Sequence, residues 1–355
     1  MGSINYNQLS NENECIMTPA VVICDDSNLA RKQMARVLPD SWQAGIHFAA
    51  HGAEALELLK SKAVDLLFLD LNMPVLDGYQ VLAALQEQAA TVKVIVVSGD
   101  VQPEAYERVM QLGAADFIKK PVDADKISTL LAAVADEHKS APKKEAAIQR
   151  SELSDVEVNA ELRDVFQEIT NVAMGQAGDL LARLLNVFVK LPIPNVNLIE
   201  VSELHMALAS VEDESTTSAV CQGFIGGGVS GEALLILTDS SFKDIARLMN
   251  YHGKLTHQVE LELLMDIANI LIGSVLKGVA GQLDMSFSQG HPVVLGQHAA
   301  VSELIKANSG RWRKTLAIEI SYGIENYNIC CDLLLLFTED SLKTLKHKVE
   351  FLLEE

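Results

Sequence analysis

The chain has 355 residues, of which 49% are hydrophobic and 21% charged, a composition typical of globular proteins rather than disordered ones. Its 28 basic and 48 acidic residues give a net charge of −20, which argues against nucleic acid or an anionic membrane as a partner. No apolar run approaches the roughly 20 residues that cross a bilayer, and no signal-peptide pattern is visible. We therefore expect a cytoplasmic protein of about two domains, with its five cysteines reduced.

The first part of the sequence alternates short apolar runs with helical periodicity. Residues 1–17 are polar, and we expect a disordered tail there. The apolar runs predict strands at 20–24, 46–49, 64–69, 92–97 and 115–118, and the periodic segments predict helices at 27–38, 52–62, 76–88, 103–112 and 123–138. Five β–α units of this kind predict an α/β domain over 18–138, a parallel five-stranded sheet with helices on both faces.

A change of composition separates this domain from the rest of the chain. Residues 139–153 are rich in charge and alanine, which is typical of a linker. Residues 154–355 contain two long amphipathic helices, a glycine-rich hairpin signal and aliphatic strands, so we expect a second domain of the α+β class.

The second domain contains an apparent internal repeat. One spacing occurs twice, 98 residues apart: Glu168-x-x-Asn171-x-x-x-Gly175 and Asp266-x-x-Asn269-x-x-x-Gly273. An aliphatic strand at 234–239 is followed by a similar one at 333–339, with an offset of 99 or 100. Two duplicated halves in one pseudo-symmetric domain explain this pattern, although general similarity between helices and strands could produce part of it.

Acidic residues stand at the carboxyl ends of two predicted strands in the first domain. Asp25 and Asp26 directly follow the first strand, and Asp70 ends the third. Because parallel strands end at one edge of their sheet, these carboxylates are expected to meet there. Such a cluster repels itself without a cation, and oxygen ligands suit Mg²⁺. The sequence therefore predicts a magnesium site.

The first domain resembles the receiver domain of two-component response regulators, over about 18–138. The matching positions are the acidic pair Asp25-Asp26, the phosphoacceptor Asp70, the strand-end hydroxyl Ser98, and Lys120, which precedes Pro121. The resemblance implies a flavodoxin-like fold, a sensor histidine kinase as phosphodonor, and a cis bond before Pro121. Taken singly, the serine and the lysine could be ordinary turn and surface residues.

The resemblance also implies a role for each of these side chains. Mg²⁺ would be held by Asp26, Asp70 and the carbonyl of Asn72, with Asp25 acting through water. Lys120 would pair with Asp70 and then with the phosphoryl group. Ser98 would hydrogen-bond a phosphoryl oxygen, and Phe117 would rotate inward behind it, although a phenylalanine there could equally be a core residue.

The repeated acid and amide residues are candidates for the output function. On a helical wheel, Glu168 and Asn171 fall off the apolar stripe of their helix, and Asn269 points away from the stripe of the second helix. We therefore predict two exposed faces, each with a glycine one turn later that would let a partner approach closely. The alternative is a solvated polar face with tolerated glycines.

Behind a receiver, this pattern resembles the CheC/CheX/FliY phosphatases of the chemotaxis regulator CheY. The match covers about 155–345 and includes the run 264–269 and the glycine-rich segment 226–231. It implies that the acid pairs with a receiver's lysine while the asparagine orients a water for attack on phosphoaspartate. Glu168 and Asn171 would form one catalytic pair, Asp266 and Asn269 the other.

The second pair departs from the family pattern, because Asp266 stands where the family has glutamate. An aspartate reaches less far, which puts full activity of that pair in question. Glu262, one turn earlier on a similar face, could substitute, although solvation explains it equally well.

The function predicted from the sequence is a response regulator of a two-component chemotaxis system. Its output domain would hydrolyse the aspartyl phosphate of a partner CheY-like receiver or of its own, regulated through Asp70, with a CheD-like deamidase as a further partner. A non-enzymatic adaptor whose affinity depends on phosphorylation, or a phosphate sink that needs only the receiver, are the alternatives. The sequence leaves open whether the chain forms a homodimer.

Overall fold

A computed structural model describes residues 19–123, 126–127, 131, 155–200, 216–299 and 314–354. The predicted tail at 1–17 and linker at 139–153 lie outside the described residues, as does most of the predicted helix at 123–138.

The N-terminal part is a parallel five-stranded sheet in the order β2-β1-β3-β4-β5. Its strands are β1 Val21–Cys24, β2 Ile46–Ala49, β3 Leu66–Leu69, β4 Lys93–Ser98 and β5 Asp116–Lys119. Its helices are α1 Asn28–Val37, α2 Gly52–Ser61, α3 Gly78–Glu87 and α4 Pro103–Gln111, and a short 3₁₀ helix covers Asp40–Gly45. The predicted sheet and its β–α alternation are therefore confirmed.

Apolar side chains on both faces explain why these strands are buried. In β1, Val22 and Cys24 belong to one core cluster, and Val21 and Ile23 belong to the other. Strand side chains alternate between faces, so an uninterrupted apolar run fits a sheet that has helices on both sides.

Hydrogen-bonding side chains set the first turns of the helices. Ser27 caps α1 by accepting a hydrogen bond from the backbone of Ala30. Asp77 and Gln80 form a reciprocal capping box at the start of α3. This cap explains why α3 begins at Gly78, two residues after the predicted start.

The C-terminal part is a mixed α/β unit with an eight-stranded sheet. Its first half contains α5 Asp155–Leu185, β6 Val189–Lys190, β7 Asn195–Glu200, β8 Thr217–Gly226, β9 Val229–Thr238 and α6 Ser241–Leu248. Its second half contains α7 His257–Gln282, β10 Ser288–Gln289, β11 Val293–Ala299, β12 Lys314–Ile324, β13 Cys330–Phe337 and α8 Ser341–Glu354.

A tight glycine turn joins β8 to β9, as the sequence predicts. Gly226 pairs with Val229, so the loop is only Gly227 and Gly228, whose φ angles are 57° and 80°. Positive φ at both positions is typical of the type I′ hairpin turn, which favours glycine.

The arrangement of strands supports the predicted duplication. The central path runs β8-β9-β13-β12, with β11 beside β8 and β7 beside β12. Each half therefore supplies a long helix, an outer strand, a hairpin and a final helix. The two halves meet where β9 pairs with β13, and Leu234 lies opposite Leu334.

Among the described residues, α7 is the one helix long and apolar enough to cross a membrane by length and composition. Of its most apolar window, 61% is buried inside the protein. Its buried side chains belong to the same core as those of α5 and the large sheet, which is typical of a core helix. Glu262, Asp266 and Asn269 interrupt its apolar sequence on the outer side.

Helix α5 lies against the receiver part of the same chain. The carboxylate of Asp164 accepts hydrogen bonds from the backbone N–H groups of Asn28 and Leu29, at 3.1 and 2.9 Å. Leu29 itself is part of the core of the C-terminal unit. A carboxylate at the N-terminus of α1 is favoured by the free N–H groups and the helix dipole.

A second set of contacts joins the two parts on the α4 side. Gln102 donates to the carbonyl of Val189 at 2.8 Å and accepts from its N–H at 2.9 Å. Arg108 pairs with Glu325, and its guanidinium lies 4.1 Å from the centre of the Phe188 ring. The receiver is therefore held at two separate places.

Candidate functional site

The predicted acidic residues meet at the carboxyl edge of the receiver sheet. Asp25, Asp26 and Asp70 each place a carboxylate oxygen within 4.8 Å of the others. The Nζ of Lys120 lies 2.7 Å from Asp25 Oδ2 and 3.4 Å from Asp70 Oδ1. Lys120 precedes Pro121 through a cis peptide bond, as the receiver resemblance implies.

A carboxylate from the C-terminal part completes this cluster. Glu168 on α5 places Oε1 3.1 Å from the Nζ of Lys120, and both side chains are buried. The lysine of the acidic pocket thus pairs with the acid of the first repeated motif, within one chain.

The backbone of α5 approaches the receiver very closely beside this ion pair. A Cβ added to Gly99, just after β4, would lie 2.9 Å from the carbonyl oxygen of Asn171. A Cβ added to Gly175 would lie 1.9 Å from the carbonyl oxygen of Gly99. The glycine of the first motif therefore permits the close approach that its spacing predicts.

The prediction of an exposed face is wrong for the first pair, Glu168 and Asn171. Glu168 is 6% exposed and Asn171 is 4% exposed, because the receiver of the same chain covers this side of α5. The helical wheel correctly separates both residues from the apolar stripe, whose members Leu162, Val165, Phe166, Ile169 and Val172 are buried. It gives no information about what covers the polar side.

Asn171 is buried without its full hydrogen-bonding capacity being used. Its Oδ1 is enclosed, and no partner for it is found among the described residues. An unpaired buried carbonyl costs roughly 1–3 kcal/mol, so its retention calls for a functional explanation. A cavity of about 430 Å³ between the two parts reaches Asp70, Lys120 and Glu168 and leaves space beside these groups.

The pocket carries more negative than positive charge. Burial raises the pKa of Asp70 well above its usual value, and Asp25 and Glu168 raise it further, against the opposing effect of Lys120. Burial alone would lower the pKa of Lys120, but its three carboxylate partners outweigh burial and raise it. The raised pKa favours a charged Lys120 at neutral pH, and the remaining negative charge needs protons or another cation.

The residues present fit a magnesium ion. Three carboxylates supply the oxygen ligands that Mg²⁺ prefers, and Oδ1 of Asp26 is enclosed with no partner among the described residues. Burial, followed by the charge of Asp25, raises the pKa of Asp26 to about 7. Asp26 is half-buried with one enclosed oxygen, so a bound cation would stabilise its ionised form.

Magnesium affinity is therefore expected to depend on pH. Because the metal needs ionised carboxylates, and burial raises the pKa of Asp26 to about 7 and that of Asp70 well above its usual value, affinity should fall at least about tenfold per pH unit below about 7. Calorimetric titration of the full chain with Mg²⁺ between pH of about 5.5 and 8.5 measures this. Asp26→Asn should bind more weakly and show a shallower dependence on pH, to which Asp70 still contributes, whereas equal wild-type affinity across the range would contradict the expectation.

Without metal, the raised pKa of Asp26 makes the stability of the fold decrease with rising pH, whereas magnesium affinity increases with rising pH. Burial raises the pKa of Asp26 in the folded chain to about 7, whereas the usual pKa of an aspartate is 3.8. Between these values the folded state binds more protons than the unfolded chain, so the contribution of Asp26 to stability declines as pH rises.

The structure also describes the other predicted receiver residues, Ser98, Asn72 and Phe117. Ser98 is fully buried at the end of β4, where its Oγ accepts a hydrogen bond from Asp100 N–H at 3.1 Å. The N–H of Asn72 donates to Asp70 Oδ2 at 3.1 Å. Phe117 is half-buried, and its ring packs edge-on against Tyr106 at 5.9 Å.

The second repeated pair has a different environment. Asp266 and Asn269 are exposed on α7, as predicted, and are not brought to the receiver pocket. A Cβ added to Gly273 would meet no described atom within 4 Å. This face is thus open, whereas the equivalent face of α5 is covered.

Sequence reasoning missed several residues that join α5 to the receiver. Gln167, next to Glu168, donates from Nε2 to Asp26 Oδ2 at 3.0 Å. Asp164, four residues before Glu168, holds the N-terminus of α1. Both lie on the same side of α5 as Glu168 and Asn171. Their position on that side was the sequence signal that could have indicated a contact with the receiver. For Gly99, the sequence contains no signal of this contact other than its position directly after Ser98.

Comparison with known proteins agrees with the geometry of the N-terminal part. Residues 21–132 match the family described as response regulator receiver domain. Chemotaxis protein CheY of Treponema pallidum (strain Nichols) is 31% identical over 116 residues, which are 32% of this chain and 81% of that protein. CheY of Bacillus subtilis (strain 168) is 31% identical over 111 residues, 31% of this chain and 92% of that protein.

A chain in the crystal structure of the CheX–CheY–BeF₃–Mg²⁺ complex from Borrelia burgdorferi is 29% identical. The match covers 32% of this chain and 87% of that one, with a TM-score of 0.29.

A cluster of three carboxylates and a lysine at the edge of a parallel five-stranded sheet, together with the family match, defines the N-terminal part as a response regulator receiver. The chain belongs to the response regulator family, with a CheY-like receiver of the two-component and chemotaxis type in its N-terminal part. Receivers of this family take their phosphoryl group from sensor histidine kinases.

Proposed function

We propose that the C-terminal unit is a CheC-like phosphatase that removes phosphate from Asp70 of its own receiver. The single observation that carries the proposal is the buried pair of Glu168 and Lys120, 3.1 Å apart, with Asn171 one turn further along α5. Glu168 and Asn171 have the spacing of the acid and the amide in the phosphatase motif. In the mechanism that the motif implies, the acid pairs with a receiver lysine, as Glu168 does with Lys120.

In the proposed reaction, the residues of this chain act by position and charge. Glu168 holds Lys120, and the carboxamide of Asn171 binds a water molecule opposite the bond between phosphorus and Asp70. The water oxygen attacks phosphorus, the bond to the Asp70 oxygen breaks, and the proton lost by water leaves with inorganic phosphate. Asp70 returns to a free carboxylate. No nucleophilic side chain is needed for phosphoryl transfer of this kind.

Mg²⁺ would be held by Asp25, Asp26, Asp70 and the carbonyl of Asn72. When bound, the ion would neutralise the charge of the phosphoryl group. The excess of carboxylates over lysine in the pocket supports this assignment.

The open face on α7 supports action on a second receiver, supplied by another molecule. Asp266, Asn269 and Gly273 repeat the first motif, and nothing described covers them. The shorter reach of Asp266 favours a weaker contact with the incoming lysine. We therefore propose that the α5 face acts within the chain and that the α7 face acts on a separate CheY-like receiver.

The lifetime of the phosphate on Asp70 tests the proposal. The full chain is phosphorylated with acetyl phosphate in Mg²⁺, freed of donor, and followed over time. The wild-type chain should lose phosphate by a first-order process whose rate does not depend on protein concentration, because the reaction is intramolecular. A Glu168→Ala, Asn171→Ala double variant should retain phosphate much longer.

Equal lifetimes in the wild type and the double variant would overturn the proposal. They would favour the adaptor alternative, in which the same contact only reports phosphorylation. If the rate of phosphate loss instead rises with protein concentration, the reaction takes place between molecules and not within one chain.

A further inference from the structure

A cluster of metal-ligating side chains lies in the C-terminal unit, apart from the phosphorylation pocket. His257 is the first residue of α7, Glu260 lies one turn later, and His298 lies near the end of β11. One ligand atom from each lies within 4.8 Å of the other two. All three are at least partly accessible to solvent, so an ion can reach them.

His298 is held in place through both of its ring nitrogens. Nε2 lies 3.3 Å from Glu260 Oε2, and Nδ1 lies 2.8 Å from Asp239 Oδ2. Asp239 is itself fixed, because its other oxygen accepts a hydrogen bond from Ser218 Oγ at 2.7 Å. A carboxylate on the far nitrogen of a histidine is the usual support of a metal-bound imidazole.

The backbone of β11 is distorted where it presents this imidazole. His298 has a φ of 54°, in the left-handed region that few residues other than glycine adopt. The pairing of β11 with β8 shifts register between Gly296 and Ala299, so His298 lies within a bulge. Bulges of this kind redirect a side chain away from the regular sheet, and strained backbone clusters at functional positions.

We propose that His257, Glu260 and His298 form a binding site for Zn²⁺ or a similar divalent transition metal, with Asp239 as the positioning residue for His298. Two imidazoles and one carboxylate are a ligand set that zinc accepts, with solvent in the fourth position. Ligands around tetrahedral zinc lie about 3.4 Å apart, so movements on the order of 1 Å would close the site.

This site differs in chemistry from the receiver pocket. The pocket at Asp70 offers only oxygen ligands, which suit Mg²⁺, whereas two imidazoles favour zinc over magnesium. The competing state of the cluster is a protonated His298 paired with Asp239 and Glu260. A bound metal would displace that proton and tie the start of α7 to the end of β11.

Zinc titration of the untagged full chain tests the proposal. Excess Mg²⁺ is kept present so that the receiver pocket is not counted, and free Zn²⁺ is followed with a chromophoric chelator. The wild type should bind one equivalent that His257→Ala and His298→Ala each lose. His347→Ala is the matched control, because His347 is an exposed histidine on α8, and it should retain the equivalent.

Two further measurements separate metal binding from a structural effect. Asp239→Asn should retain the site but bind Zn²⁺ about 10–100-fold more weakly. Zn²⁺ should raise the Tm of the wild type and of His347→Ala but not that of His257→Ala, and all three should melt alike without metal. Equal zinc binding by His257→Ala and the wild type, or no zinc equivalent in the wild type, would overturn the proposal.

Discussion

Asn171→Ala is expected to lengthen the lifetime of the phosphate on Asp70 by about 10²–10³-fold in the full chain, the usual effect of removing one positioned polar group from a transition state. The reason is the position of Asn171 on α5, one turn after the Glu168 that pairs with Lys120, where its carboxamide is buried with Oδ1 unpaired among the described residues. Loss of radiolabel from Asp70, measured after donor removal, gives the rate.

Asn269→Ala is the matched control for this substitution. It removes the same group from the equivalent position of α7, where Asn269 is exposed and does not line the cavity beside Asp70. It should leave phosphate loss from Asp70 unchanged and slow only the dephosphorylation of an added CheY-like receiver. An effect of Asn269→Ala on Asp70 as large as that of Asn171→Ala would contradict the assignment of the two faces.

Gly175→Ala is expected to separate α5 from the receiver without altering any charged or catalytic group. The new Cβ would lie 1.9 Å from the carbonyl oxygen of Gly99 and 2.5 Å from its carbonyl carbon, and neither backbone atom can move aside cheaply. The variant should show faster amide exchange around Asp70, a larger radius of gyration, and a longer phosphate lifetime.

Gly273→Ala makes the same chemical change where no described atom lies within 4 Å. Alanine within a helix is about 1 kcal/mol more favourable than glycine, so this control should be slightly stabilised and otherwise unchanged. Amide exchange near Asp70 that is equally slow in both variants would show that close approach at Gly175 does not hold the two parts together.

The receiver was predictable because its signals are local. Each apolar run is short, each is followed by helical periodicity, and the residues of the pocket stand directly at strand ends, as Asp25 and Asp70 do. Boundary errors came from caps, as at α3, where Asp77 and not the apolar pattern sets the first turn.

The contact between the two parts was not predictable in the same way. A helical wheel shows that Glu168 and Asn171 are polar-side residues, but burial of that side depends on contacts between residues 48 to 141 positions apart in the sequence. The bonds of Gln102 to Val189 and of Asp164 to the start of α1 are of this long-range kind. So is the approach of His298 to α7, which depends on a bulge in β11.

The burial of Asp70 has a consequence for how the receiver is charged. Only 3% of this residue is exposed, and Glu168 of α5 pairs with the lysine that lies 3.4 Å from its carboxylate, so we expect α5 to hinder the approach of a kinase's phosphohistidine. On this expectation, α5 would have to move away for Asp70 to gain the phosphoryl group, and would have to return for the proposed hydrolysis. The lifetime of the phosphorylated state would then be set by the time that α5 spends away from the pocket.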